Sequence, residues 1–294
     1  MPRELTYDHI DVFTDKPLGG NQLAVFPSPG RVSAAQMQAI AREINFSETT
    51  FLFSPKVQGA DARVRIFTPA EEIPFAGHPT IGSAFVIASR SRKKLERVVL
   101  ELGVGVIDVD IERRGTKVHS LTMHQPLPVF GSALQNREQA ARALGVTHDD
   151  VLGGGVVSNG LDFLIIESTS LHAVQNARCN IEDAVKVIKR HGVHAIYLFA
   201  RLSGRGPSIH ARLFAPTLSV VEDPATGSAA GALGGYLARI LKFPMKLHLT
   251  IEQGIEMGRP SLIQVDVNSE RGTIEEVSVT GKAVPVGGGV IRLP

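Results

Sequence analysis

The chain has 294 residues, of which 43% are hydrophobic and 20% charged, with 31 basic and 29 acidic side chains and a formal charge of +2. This is ordinary globular usage, long enough for one large or two medium domains, and so balanced a charge offers no global field for nucleic acid or anionic lipid. The expected partner is a small molecule; the single Cys179 excludes an internal disulfide, and without CxxC pairs there is no thiol-based zinc site.

The first residues, MPRELTYDHIDVF, carry charges throughout, and no later stretch reaches the length of an apolar membrane span, so a cytoplasmic location is expected. Ser33 then caps a predicted amphipathic helix with Met37, Ile40, Ala41 and Ile44 on one face. NFSETTFLF follows, placing Glu48 before a short apolar strand, Phe51 to Phe53. RIFTP reads as a strand stopped by Pro69. HPTIGSA then opens a helix rich in small residues, with Pro79 at its first position. The basic run from Arg90 reads as a solvated helix end. Strands are predicted near Val98 and Val106, and QPLPVF, from Gln125 to Phe130, is the best linker. Beyond it come a strand at Phe163 and a helix capped by Asn180, with Ile181, Ala184, Val185 and Ile188 as its apolar face and Gly192 as its stop. A strand at Tyr197 to Phe199 and then RLFAP follow. The small-residue helix of DPATGSAAGALGGYLARIL and strands at Leu262 and the C-terminus complete the chain.

The order of these pieces repeats. Ser33 and Asn180 lie 147 residues apart, as do RIFTP and RLFAP; the two apolar strands match at 146 and HPTIGSA matches DPATGSA at 145. The expected architecture is therefore two similar halves, each a mostly antiparallel sheet around a buried helix. The boundary falls near residue 124: 1–124, completed by the last strand at 283–294, and 125–282.

Two helix starts, one per half, offer unpaired N–H groups and positive dipole ends suited to a carboxylate. The turns carry Gly77 and His78 in one half, and Asp223, with Ser228 one turn on, in the other. His78 and Asp223 read equally as helix caps or as catalytic groups. Glu48, flanked by Phe46 and Phe51, is an ordinary acid if it faces water; in a closed cleft, desolvation would raise its pKa and suit it to carry a proton. Its counterpart in the repeat reads as His194, so the acid is not duplicated. HGVH, from His191, lacks a completing carboxylate for a metal, and the GGG and GVG runs fit no nucleotide fingerprint.

Taken together, DVFTDKPLGGNQLAVF, NFSETTFLF, RIFTP with PFAGHPTIGSA, and RLFAP with VEDPATGSAAGAL resemble the PhzF family of phenazine-biosynthesis-like proteins, over both halves and in the same order. The resemblance implies an α+β fold of two pseudo-symmetric, diaminopimelate epimerase-like domains, each a curved sheet around a central helix, with the site between them. It implies a cofactor-independent isomerase that moves a proton on a carboxylate-bearing substrate, with neither metal nor organic cofactor. Glu48 would be the catalytic acid/base, with Gly77, His78, Asp223 and Ser228 binding substrate. The related epimerases use two cysteines at the helix starts, which this chain lacks. A homodimer is an expectation from the resemblance alone. Gln22 stands where many members have proline. A noncatalytic binding protein, or an amino- or hydroxy-acid epimerase, is the alternative reading.

Overall fold

A computed structural model describes residues 3–206, 208–242 and 245–293. In chain order the elements are β1 (Arg3–Val12), β2 (Asn21–Phe26), α1 (Ala34–Ile44), β3 (Glu48–Phe53), β4 (Ala62–Phe67), β5 (Glu72–Ile73), α2 (Gly77–Arg90), β6 (Arg97–Leu102), β7 (Gly105–Arg114) and β8 (Lys117–Gln125). They continue as β9 (Val129–Ala133), α3 (Arg137–Leu144), β10 (Val151–Ser158), β11 (Asp162–Ser168), α4 (Leu171–Asn176), α5 (Ile181–His191), β12 (Ala195–Arg201), β13 (Ile209–Ala215), β14 (Val220–Asp223), α6 (Gly227–Ile240), β15 (Lys246–Gln253), β16 (Ser261–Glu270), β17 (Thr273–Gly281) and β18 (Ala283–Leu293). Contacts divide the chain into two compact units: one runs to His124 and resumes at Thr280, the other spans Gln125–Val279.

In the first unit β1 lies antiparallel to both β18 and β2, and β2 runs parallel to β3. β4 is antiparallel to β3 and parallel to β6, which continues antiparallel through β7 to β8. The second unit repeats the sequence of pairings: β10 between β9 and β11, β11 parallel to β12, β13 antiparallel to β12 and parallel to β15, and β16 antiparallel to β15. The parallel steps need crossovers, and helices supply them at matching places, α1 and α2 in one unit, α5 and α6 in the other.

α2 packs on β1, β2, β3, β4, β6, β7 and β18, and is buried at every residue from Gly77 to Val86. α6 packs on β10, β11, β15 and β16, with Gly227 through Gly235 all buried. Small residues are required here. A Cβ at Gly82 would sit 2.5 Å from Leu23 Cδ2, and one at Gly234 would sit 2.7 Å from Val265 Cγ1. α1 covers the other face of its sheet with Met37, Ile40 and Ala41 against Phe26, Phe51 and Phe67. Phe26 and Phe51 stack at 4.8 Å, and Phe67 meets Phe51 edge-on at 5.7 Å.

Ser33 and Asn180 cap their helices as expected, each side chain accepting from the third backbone N–H. Three details of the sequence reading change. The buried stripe of α5 is Ala184, Val187 and Ile188; Val185 is half-buried at its side, and Ile181, in the first turn, is 52% exposed. Pro79 is the third helical residue rather than the first, and Pro224 precedes α6 altogether.

The third change concerns the repeat frame. Ile66 pairs with Ile73 and Leu213 with Asp223, and both central helices begin at glycine, Gly77 and Gly227. The equivalent segments are therefore Glu72-Ile73-Pro74-Phe75-Ala76-Gly77-His78 and Glu222-Asp223-Pro224-Ala225-Thr226-Gly227-Ser228. The shared GSA triplet lies five residues out of this frame, because it matches by composition while strand pairing sets the equivalence. Likewise Thr50 lies opposite Ile66 and Tyr197 opposite Leu213, so the counterpart of Glu48, two residues before Thr50, is Ala195 and not His194.

Candidate active site

In the first unit, α1 ends on Asn45, whose left-handed backbone (φ 55) turns the chain so that β3 starts at Glu48 beside β2. Asn21 begins β2, and His78 is the second residue of α2. These elements bring three polar side chains together away from solvent. His78 is 2% exposed and the Glu48 side chain 13%, with His78 Nε2 3.3 Å from Glu48 Oε2. Asn21, itself buried, donates from Nδ2 to His78 Nδ1 at 3.0 Å.

Burial pushes the His78 imidazole down to about 3, opposed only in part by the backbone of Gln22. The ring is therefore neutral near pH 7. A neutral ring whose Nδ1 accepts from Asn21 carries its proton on Nε2, on the side of Glu48. The pair is thus a carboxyl group beside a neutral N–H donor. Gly77 supplies the first amide of α2, and its N-cap, Ala76, has no polar side chain to occupy that helix start.

In the second unit Asp223 ends β14 and is 5% exposed. Its Oδ2 accepts from Thr226 Oγ1, and its carbonyl accepts from Gln253 Nε2 at 2.8 Å. The buried Tyr197 hydroxyl donates to Gln253 Oε1 at 3.0 Å; burial, then the Asp223 charge, pushes that phenol up. Ser228 is buried at the second position of α6, the place His78 holds in α2, and no side chain caps α6 either. Buried Gln125 and Asn159 fix this start by donating to the carbonyls of Gly227 (2.9 Å) and Ser228 (2.8 Å). Each unit so gathers its own sequence-predicted residues: Glu48, Gly77 and His78 in one, Asp223 and Ser228 in the other.

Sequence reasoning misses Asn21, because in GGNQ only the glutamine departs from the family pattern. It misses Tyr197, Thr226, Gln253, Gln125 and Asn159 as well, because a supporting amide or hydroxyl carries no spacing signal until the strands are paired. Cys179 precedes α5, is half-buried, and its thiol is raised by burial; the helix starts hold Gly77-His78 and Gly227-Ser228 instead of thiols. Among the described residues no three His, Cys, Asp or Glu side chains are grouped to hold a metal, and no helix is long and apolar enough to cross a membrane.

The family model described as phenazine biosynthesis-like protein matches residues 10–289. The chain belongs to this PhzF family. It is 38% identical over 287 residues to the trans-2,3-dihydro-3-hydroxyanthranilate isomerase of Pseudomonas chlororaphis, covering 98% of this chain and 99% of that one. The solved structure of a PhzF-family phenazine biosynthesis protein from Bacillus anthracis matches with a TM-score of 0.87 at 26% identity, covering 98% and 99% of the two chains. A hydroxyproline epimerase from Agrobacterium vitis shares the fold alone, with a TM-score of 0.72 at 11% identity over 99% and 93% of the chains. The PhzF-family chain is thus an isomerase, built on the proline racemase and diaminopimelate epimerase-like fold.

Proposed function

We propose that the protein moves a proton between two carbons of a small carboxylate-bearing substrate similar to trans-2,3-dihydro-3-hydroxyanthranilate, with Glu48 as the group that carries it. The observation that supports this most is the 3.3 Å approach of Glu48 to a buried, neutral His78. In the forward direction the Glu48 carboxylate takes the proton from C3 of the ring as the C3–H bond breaks. The electron pair moves into the ring, and the Glu48 carboxylic acid returns the proton as the C1–H bond forms. His78 presents its neutral Nε2–H 3.3 Å from the charged carboxylate, outside hydrogen-bond geometry in this structure, and Asn21 holds the imidazole in that tautomer. Gly77 offers an uncapped helix-start amide to substrate anions. Asp223 and Ser228 bind substrate polar groups; their burial and the side chains that brace them suit a fixed role. Needing one carboxyl group rather than two thiols, this scheme fits helix starts that hold histidine and serine.

The test is to supply trans-2,3-dihydro-3-hydroxyanthranilate to the enzyme in D2O and follow the product by mass spectrometry and NMR. Conversion with deuterium confined to C1 is the expected result. Binding without conversion would support a noncatalytic role, and deuterium exchange at a stereocentre without movement of the double bond would support an epimerase.

A further inference from the structure

The second unit contains a buried charge cluster that the proposed chemistry does not use. His210, 1% exposed, is held by Glu252 Oε1 on Nδ1 at 2.7 Å and by Glu256 Oε1 on Nε2 at 2.8 Å. Next to it Arg212 pairs through two hydrogen bonds with Glu222, at 2.7 and 2.8 Å, and its Nε lies 3.9 Å from Glu256 Oε2. Two cationic groups thus face three carboxylates.

The strand pairings identify the same places in the first unit. His210 lies opposite Glu252 where β13 meets β15, and Arg63 lies opposite Glu101 where β4 meets β6. Arg212 with Glu222 corresponds to Arg65 with Glu72, which pair at 2.7 and 2.5 Å. Glu256 has no counterpart. It stands in the connection 254–260 between β15 and β16, whereas β6 and β7 are joined by Gly103 and Val104 alone. The short hairpin leaves an open groove of about 450 Å³, lined by Arg63, Arg65, Glu72, Pro74, Glu101 and Gly103.

Within that groove the carboxylates are engaged. Glu72 is held by Arg65, and Glu101 Oε2 accepts from the backbone N–H groups of Lys56 and Val57 at 2.5 and 3.0 Å. Arg63 is the remaining cation, and it acts on Glu101 through space, helping to lower that carboxyl, without a hydrogen bond to it. Its guanidinium lies over the Phe53 ring at 5.1 Å, and its buried Nε has no hydrogen-bond partner among the described residues.

We infer that the groove over Arg63 binds a small carboxylate, which occupies in the first unit the place that the chain's own Glu256 takes in the second. The one carboxylate group bound at Arg63 would bring the local charge set to the same two cations and three carboxylates. Its carboxylate would accept from Arg63 in the geometry that guanidinium favours, and the groove volume suits a molecule of dicarboxylate size.

The test is calorimetric and NMR titration of the full chain with succinate, following arginine Nε–H resonances, with inorganic phosphate as the competing anion. A saturable shift of the Arg63 resonance is expected, with affinity weakened about tenfold or more by Arg63→Gln and unchanged by Glu48→Gln. A second chain, with residues 254–260 grafted in place of 103–104, should lose succinate binding because its own glutamate fills the groove. Binding that survives Arg63→Gln, binding abolished by Glu48→Gln, a preference for phosphate, or no shift at all would each overturn the assignment.

Discussion

The two central helices start alike and end in different chemistry. Both begin at glycine after a Glu-x-Pro turn, both lack a side-chain cap, and both carry a buried polar residue at the second position. In the first unit that residue is His78 and the strand beside it opens with Glu48; in the second it is Ser228 and the matching strand position is Ala195. The duplicated frame thus places a carboxyl group beside the helix start in one copy only. The second copy spends its polar groups on hydrogen bonds that fix Asp223 and the helix start.

The largest effect that sharpens this contrast is on turnover. His78→Leu is expected to lower kcat about 100-fold, since it removes the donor beside Glu48, while Ser228→Ala acts mainly on KM. Steady-state kinetics on both variants checks this, and equal losses in kcat would break the distinction. Next comes stability, where the copies should agree. Gly82→Ala and Gly234→Ala each force a Cβ into neighbouring side chains and should each cost about 1–3 kcal/mol, read as a shift in urea midpoint.

The two buried histidines should then separate the units by pH. His78 is lowered in the folded state, so the unfolded chain takes up its proton first, and stability falls as pH drops from about 6.5 towards about 3. His210 is raised; burial, the largest influence, works against this, and the hydrogen bonds and charges of Glu256 and Glu252 outweigh it. Its contribution is complete below about 6.5, while those carboxylates stay ionised, and is lost as pH rises through its folded value. Denaturation of His78→Gln and His210→Gln across pH should remove these opposite slopes one at a time. The smallest effect is at Ile181, so exposed that Ile181→Ala should change stability by no more than about 0.5 kcal/mol, whereas Phe51→Ala in the layered core should cost about 3–5 kcal/mol.

Much of this was legible in the sequence, because helix caps and period-two strands are local signals. Ser33, Asn180 and the strands at Phe51 and Tyr197 sit where their neighbours dictate. The repeat frame was not fully legible: a GSA triplet matches by composition, while strand pairing, which the triplet does not encode, sets the true equivalence of His78 with Ser228. Glu48 was ambiguous for the same reason. Its burial depends on β2 lying parallel to β3 and on His78 arriving from a helix thirty residues later. Asn21 and Gln253 bond to partners distant in sequence.

The most direct measurement is single-turnover proton transfer by Glu48→Gln, with substrate binding measured in parallel. The expected result is a substrate affinity within a few-fold of the unaltered enzyme and a transfer rate reduced at least about 1,000-fold, with no solvent deuterium entering C1. Transfer within about tenfold of the unaltered rate would contradict the role given to Glu48.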